Sequence, residues 1–148
     1  MKELQGWARA ELDVPPDDCF ALLAAVDRYP GWFDVVGHVE ILESEQNGTP
    51  GLARAELHVP QSPFGQHFEL FLTVHTQAPV AVTLTRVPDG PADPDRLELN
   101  WRVDGGGTWL EFEFDAAASF VPGFFPVGGA GEAIAEAAIK AARAALNR

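Results

Sequence analysis

Hydrophobic and polar residues alternate along much of the chain. In residues 96–104, for example, Leu99 and Trp101 lie between polar or charged neighbours. A period of two is typical of a β-strand with one buried and one solvated face. Because the alternating runs are joined by turn sequences, they predict antiparallel pairing. The predicted strands are residues 4–14, 36–45, 51–60, 66–77, 80–87, 96–104 and 108–117.

Two regions have helical patterns instead. Residues 15–18, Pro-Pro-Asp-Asp, predict the start of a helix that continues to Val26, because proline fits the first turn and carboxylates favour the positive helix end. Residues 27–31 are predicted to break it, and residues 32–34 to form a second short helix or turn. Residues 131–147 predict a long helix from their Ala, Glu, Lys and Arg content. Its predicted apolar stripe is Ile134, Ala138, Ala142 and Ala145, with Ile139 and Leu146.

The long helix is the segment predicted to cover the dry face of the sheet. That face carries Phe, Leu and Trp, whereas the helix is mostly alanine. We therefore expect a volume that the protein's own side chains do not fill, and an apolar void of this kind binds apolar ligands. The alternative is that alanine simply allows the helix to approach the sheet closely, which leaves no cavity.

Length and charge limit the classes of function. A chain of 148 residues predicts a single domain over 1–148. The net charge of −12, with 10 basic residues scattered among 22 acidic ones, argues against nucleic acid and anionic membranes as partners. The first six residues have no apolar run behind a basic start, which predicts neither signal peptide nor membrane span and hence a cytoplasmic location. Cys19, in an apolar helical run, is interpreted as a small buried hydrophobe.

Few polar side chains have the parity of the dry face. The histidines of the strands have outward parity, so we expect no metal site, and the sequence indicates no cofactor. Arg86 follows Val82 and Leu84 on the dry parity. Its guanidinium is expected either to reach a carboxylate or keto oxygen of a ligand or to turn out to solvent. Tyr29 either contacts the ligand or satisfies a backbone group.

Residues 119–127, Ser-Phe-Val-Pro-Gly-Phe-Phe-Pro-Val, form an unusually apolar loop. Solvated loops rarely have this composition, so we expect this one to be packed or to face a partner. Together with Trp32 and Phe33 it would close the mouth of the cavity. The alternatives are a satellite core under the start of the helix, or the contact of a homodimer.

Three stretches resemble a known family. They are residues 14–23, the Asp-Arg-Tyr-Pro-Gly-Trp segment at 27–32, and residues 100–112 with a Gly-Thr hairpin. With the order strand, two helices, six strands and long helix, they resemble the START-related (SRPBCC) superfamily, in its polyketide cyclase/dehydrase and lipid-transport branch. Residues 61–65 and 88–95 match no subgroup, so the resemblance does not name a ligand.

The resemblance implies an α+β helix-grip fold. In this fold a seven-stranded, curved antiparallel sheet surrounds a long C-terminal helix, with two short helices after strand 1. Members of the superfamily hold hydrophobic ligands between sheet and helix, and some are cyclases, aromatases or dehydratases. The fold alone therefore does not decide the activity.

The favoured hypothesis is a non-catalytic carrier or sensor of a small lipid-, polyketide- or quinone-like molecule. One alternative is a polyketide cyclase or dehydratase in which Arg86 and Tyr29 orient or polarise a carbonyl. Another is a protein-interaction module that uses residues 119–127. The predicted ligand-binding residues are Tyr29, Trp32, Phe33, Leu70, Leu72, Leu84, Arg86, Leu99, Trp101, Phe112, Phe114, Phe120, Phe124 and Phe125.

Overall fold

A computed structural model describes residues 2–58, 67–105, 108–118 and 130–148. Its strands are β1 (Lys2–Glu11), β2 (Val36–Ser44), β3 (Pro50–His58), β4 (His67–Gln77), β5 (Ala81–Arg86), β6 (Arg96–Asp104) and β7 (Trp109–Ala118). Its helices are α1 (Pro16–Ala24), a 3₁₀ helix (Val26–Gly31) and α2 (Ala130–Leu146).

The seven strands form one antiparallel sheet in the order β1-β7-β6-β5-β4-β3-β2. Strands 2 to 7 therefore follow each other in space as they do in the chain, and β1 adds to the far side of β7. The helix-grip prediction is confirmed, including the two short helices between β1 and β2. The two edges of the sheet are β1 and β2.

Side-chain alternation produces one apolar, concave face. In the β6–β7 pair, Trp101 lies opposite Phe112, and both side chains are buried. On the opposite face of β1 and β7, the Arg9 guanidinium lies 3.3 Å from the Glu111 carboxylate. Within the described part of the chain, the buried residues of the strands are all apolar.

The short helices differ in one respect from the prediction. Pro16 occupies the first turn of α1 and Asp17 and Asp18 follow, as expected. Residues 27–31, where a break was predicted, belong with Val26 to the 3₁₀ helix, and Trp32 lies just beyond its end. The reason is that Pro30 and Gly31 disfavour continuation of an α-helix but are compatible with one or two tighter turns.

The long helix α2 lies closest to β1 and β7 and approaches β1 without intervening side chains. A Cβ atom added at Gly6 would lie 2.1 Å from the carbonyl oxygen of Gly131. Near the other end, the Arg143 side chain donates to the carbonyl oxygen of Glu11 at 3.3 Å. Both β1 and α2 run from the Gly6–Gly131 contact toward the Glu11–Arg143 contact. Helix α2 therefore lies beside the edge strand β1 and runs in the same direction.

The buried face of α2 is rotated from the predicted stripe. Ala135, Ala138, Ile139 and Ala142 are buried, whereas Ile134, which was predicted to lie in the stripe, is 37% exposed. In a helix so rich in alanine the hydrophobic pattern defines its inner face weakly. The buried residues instead share a helical face with Gly131, whose backbone contacts β1. No helix of the described residues is long and apolar enough to cross a membrane.

Candidate functional site

The 3₁₀ helix and the residues after it direct aromatic side chains into the interior. Three residues per turn place Val26, Tyr29 and Trp32 on one side, and all are buried. The backbone N–H groups of Trp32 and Phe33 both donate to the Tyr29 carbonyl oxygen, at 3.0 and 2.7 Å. This turn therefore holds the three aromatic rings close to one another.

These rings pack on the concave face of the sheet. The ring centroids of Trp101 and Phe112 lie 4.4 Å apart, and that of Phe33 lies 6.2 and 6.4 Å from them. The Trp32 ring meets Trp101 at 5.9 Å. We call Tyr29, Trp32, Phe33, Trp101 and Phe112 the aromatic cluster. The sequence placed the first three at the mouth and the last two in the wall, and the structure brings all five together.

Other predicted wall residues lie beside the cluster on neighbouring strands. Leu84 is opposite Leu99 in the β5–β6 pair, and Leu99 is opposite Phe114 in the β6–β7 pair. Leu70 and Leu72 of β4 are buried further along the same concave face. The described ligand-binding candidates other than Arg86 therefore share one continuous apolar surface.

Tyr29 is tied to the protein's own backbone. Its hydroxyl donates to the carbonyl oxygen of Leu23, at the end of α1, at 2.5 Å. Burial raises the pKa of Tyr29, and the indole N–H of Trp101 near its hydroxyl opposes this effect only in part. The sequence left two roles open for Tyr29. In the structure its hydroxyl donates a hydrogen bond to the backbone, which is the second of those roles.

Two indole groups of the cluster have no such partner. Within the described part of the chain, Nε1 of Trp32 and Nε1 of Trp101 are buried without a hydrogen-bond acceptor. The Trp101 group lies near the Tyr29 hydroxyl without reaching hydrogen-bond geometry. Within the described residues, the apolar interior therefore contains two indole N–H donors without an acceptor.

Arg86 lies at the end of β5, opposite Leu72 on the concave parity. Its side chain is 11% exposed, and Nη1 lies 2.8 Å from a carboxylate oxygen of Asp93 and donates to the Asp95 carbonyl oxygen at 3.0 Å. Asp89 lies 3.6 Å from Nη2. The guanidinium is thus directed to the loop that follows β5. The acidic content of residues 88–95 is the sequence signal for this pairing.

The remaining candidates and clefts lie elsewhere. Phe120, Phe124 and Phe125 fall outside the described residues, as do residues 61–65. A surface cleft of about 190 Å³ lies between the end of β1 and the end of α2, and another of about 500 Å³ lies beside the β2–β3 turn. The described residues that line these clefts include no ligand-binding candidate, and no group of three metal-ligating side chains occurs among the described residues.

Comparison with known proteins gives a family and several solved structures. The family model described as "Polyketide cyclase / dehydrase and lipid transport" matches residues 12–146. A START superfamily protein from Mycobacterium smegmatis is 18% identical, with 97% of each chain covered and a TM-score of 0.73. The curated proteins contain no significant match.

Two further structures bear names that specify an activity. The Zhui aromatase/cyclase from Streptomyces sp. R1128 is 18% identical over 99% of this chain and 95% of its own, with a TM-score of 0.70. A STAR-related lipid transfer protein fragment from Xanthomonas axonopodis is 18% identical over 96% and 85%, with a TM-score of 0.68. At this level of identity these likenesses establish the fold.

Proposed function

The chain belongs to the polyketide cyclase/dehydrase and lipid transport family, and from this premise we propose that it binds a small apolar molecule between sheet and helix. In this proposal the protein is a carrier or sensor rather than an enzyme. The ligand is lipid-, polyketide- or quinone-like, and it contacts the aromatic cluster and the leucines beside it. Burial of its apolar surface, at about 25 cal/mol per Å² before ordering costs, supplies the affinity.

One observation carries the proposal: the concave face is apolar, and small side chains line two sides of it. Ala53 and Ala55 of β3 are buried on one side, and Ala135, Ala138 and Ala142 of α2 are buried in the core as well. Large rings project from the 3₁₀ helix and from β6 and β7. Alternation of small and large side chains supports a site that accommodates a flat apolar guest beside the rings.

The titratable groups of the interior favour binding over catalysis. Among the described residues, the buried ones with titratable side chains are Tyr29 and Cys19. Burial raises the pKa of both, for Cys19 to about 11, so both stay protonated near neutral pH. A cyclase needs an acid or base poised near the working pH, and neither group meets this need.

Cyclase or dehydratase activity is the second candidate, because one solved structure with this fold is named an aromatase/cyclase and two are named di-domain ARO/CYC proteins. In that case Arg86 and Tyr29 would orient a carbonyl of the substrate. Turnover of a poly-keto substrate analogue that fails in Arg86→Ala would support this role. Unchanged turnover in Arg86→Ala would refute the assigned residue.

Interaction through residues 119–127 is a separate prediction. It requires partner capture or dimerisation that is lost in the double variant Phe124→Asp and Phe125→Asp, while ligand binding persists. Loss of ligand binding in the same variant would instead place the two rings at the ligand.

The proposal is tested with the purified chain in two ways. Native mass spectrometry of the gently purified protein is expected to show a co-purified molecule of a few hundred daltons. Independently, the neutral fluorophore phenylnaphthylamine is expected to bind with increased emission and to raise the melting temperature by mass action. A protein without adduct that neither binds the fluorophore nor gains stability from it would overturn the proposal.

A further inference from the structure

The indole N–H groups of Trp32 and Trp101 are buried donors for which the described residues supply no acceptor. Trp101 is 0% exposed and Trp32 is 8% exposed, and Nε1 of each is buried without an acceptor in the described part of the chain. Buried side-chain donors are nearly always paired, so each exception requires a physical explanation. Leaving a donor unpaired destabilises the protein relative to a paired one.

The two donors belong to the same small region. Their ring centroids lie 5.9 Å apart, and the Tyr29 ring lies 5.1 Å from that of Trp32. Tyr29 donates its own hydroxyl hydrogen to the Leu23 carbonyl oxygen, so its O–H is already used. The rest of the cluster consists of the phenyl rings of Phe33 and Phe112, which offer no hydrogen-bond acceptor of ordinary strength.

The charges around the aromatic cluster limit which ligand group could accept hydrogen bonds from the two indoles. The described buried residues include no Lys or Arg, and the Arg86 guanidinium is bound to Asp93 at 2.8 Å. A carboxylate placed among these rings would lack a counter-ion and would be strongly penalised by desolvation. A ligand hydroxyl would bring a hydrogen whose available acceptor in the cluster is the Tyr29 oxygen, beside which the Trp101 indole N–H already lies. A neutral carbonyl oxygen has two lone pairs and brings no hydrogen, so it can accept from both indoles.

We infer that Trp32 and Trp101 determine ligand specificity by donating their indole N–H groups to a neutral carbonyl oxygen of a ring-shaped ligand. This inference rests on the proposed function, since it concerns the same interior surface. It restricts the ligand to ketones, quinones or esters with a flat apolar body. It disfavours pure hydrocarbons and ionised fatty acids.

A matched pair of probes tests the inference. Fluorene and fluorenone have the same fused rings and differ in a methylene in place of the carbonyl. By calorimetric titration, fluorenone is expected to bind about tenfold more tightly than fluorene, as two modest hydrogen bonds would give. Fluorene carboxylate is expected to bind more weakly than fluorenone.

Single variants assign the preference to the indoles. Trp101→Phe and Trp32→Phe are each expected to reduce the fluorenone-to-fluorene affinity ratio by about threefold, because a changed ring contact affects both probes whereas the lost N–H affects fluorenone alone. Trp7→Phe is the matched control, because the Trp7 side chain is 54% exposed and lies outside the cluster. A ratio that does not change in either cluster variant would overturn the inference.

A second measurement avoids the risk that a cluster variant does not fold. The chain has four tryptophans, and heteronuclear NMR of the wild-type protein resolves their indole N–H signals. Trp7→Phe and Trp109→Phe identify two signals and leave those of Trp32 and Trp101. Fluorenone, but not fluorene, is expected to shift these two signals downfield.

The outcomes separate this inference from the proposed function. If both probes bind with equal affinity and the indole signals respond alike, the protein binds apolar molecules and the donor role is wrong. If neither probe binds and no signal moves, the proposed function fails for ligands of this size, and the inference fails with it. Tight binding of the carboxylate would overturn the requirement for a neutral acceptor.

Discussion

The carboxylate of Asp93 organises the loop after β5. It accepts hydrogen bonds from the backbone N–H groups of Asp89 and Asp95, at 2.8 and 2.9 Å, and contacts the Arg86 guanidinium. These three interactions, in that order, lower the pKa of Asp93 from 3.8 to about 2. The charged carboxylate is therefore preferred in the folded protein.

This shift predicts a specific pH dependence of stability. Because the folded-state pKa is depressed, the contribution is fully present above the ordinary pKa of 3.8 and is lost as the pH falls through about 2. The difference in free energy of unfolding between wild type and Asp93→Asn is expected to be constant above about pH 5 and to shrink below it. Urea unfolding at several pH values measures this difference.

An exposed aspartate supplies the control for that experiment. Asp27, in the 3₁₀ helix, has an exposed side chain, and Asp27→Asn is expected to change the free energy of unfolding by less than about 0.5 kcal/mol. Equal pH profiles for the two variants would contradict the role given to Asp93.

Individual residues also show where sequence reasoning reaches its limit. Parity correctly placed Arg86 on the concave side, but parity does not specify a partner nine residues along the chain. For Tyr29 the sequence left two roles open. The structure shows its hydroxyl donating a hydrogen bond to the Leu23 carbonyl oxygen, a tertiary contact. That the described residues offer no acceptor to the indoles of Trp32 and Trp101 could not be foreseen, because pairing depends on distances between separate elements.

Among the elements, the contact of α2 with β1 depends on two glycines. A Cβ atom at Gly6 would lie 2.1 Å from the Gly131 carbonyl oxygen, which is backbone and cannot rotate away. Gly6→Ala is therefore expected to destabilise the protein by about 2 kcal/mol or more, through displacement of α2. Thermal unfolding followed by circular dichroism measures the loss.

The comparison variant is Gly31→Ala. A Cβ atom at Gly31 would meet nothing within 4 Å, and the φ of Gly31 is not positive. This change is expected to be neutral or slightly stabilising, by up to about 1 kcal/mol. If both variants lose equal stability, the close approach at Gly6 is not the cause.

The alanine face of α2 tests directly whether the interior has room for a guest. Ala138 is completely buried in the core, so Ala138→Leu adds three carbon atoms there. Where free space exists, the larger side chain is expected to weaken phenylnaphthylamine binding by at least about fivefold and to change stability by less than about 1 kcal/mol. Fluorescence titration and urea unfolding provide the two readouts.

The opposite result has a clear meaning for Ala138. A loss of about 1–3 kcal/mol with fluorophore binding unchanged would show a filled interior at this position. Ala144→Leu, on the exposed side of the same helix, controls for the effect of leucine on helix propensity.

Elements were predictable to the extent that a local pattern defines them. Strand β6 has the predicted bounds, because its alternation is unbroken and acidic or glycine-rich turns flank it. The 3₁₀ helix was not predicted, since Pro30 and Gly31 resemble a simple break. The inner face of α2 was misplaced at Ile134, because an alanine-rich helix presents similar hydrophobicity on several sides.

For the whole molecule, a net charge of −12 affects how a bound molecule would be delivered. If the protein is a carrier, transfer of phenylnaphthylamine to phosphatidylserine vesicles is expected to be slower than transfer to phosphatidylcholine vesicles. Repulsion of the acidic surface by the anionic vesicle causes the difference, so added salt is expected to reduce it. Stopped-flow fluorescence measures both rates, and faster transfer to the anionic vesicles would contradict this view.

Cys19 has a further consequence for experiments on this protein. The chain contains one cysteine, its side chain is completely buried in α1, and burial raises its pKa to about 11. A thiol reagent can therefore modify Cys19 only during a transient opening of the structure. The labelling rate thus measures how often this opening occurs. A ligand bound in the interior is expected to slow the labelling of Cys19 by the same factor by which it stabilises the closed form. No engineered reporter is needed for this measurement.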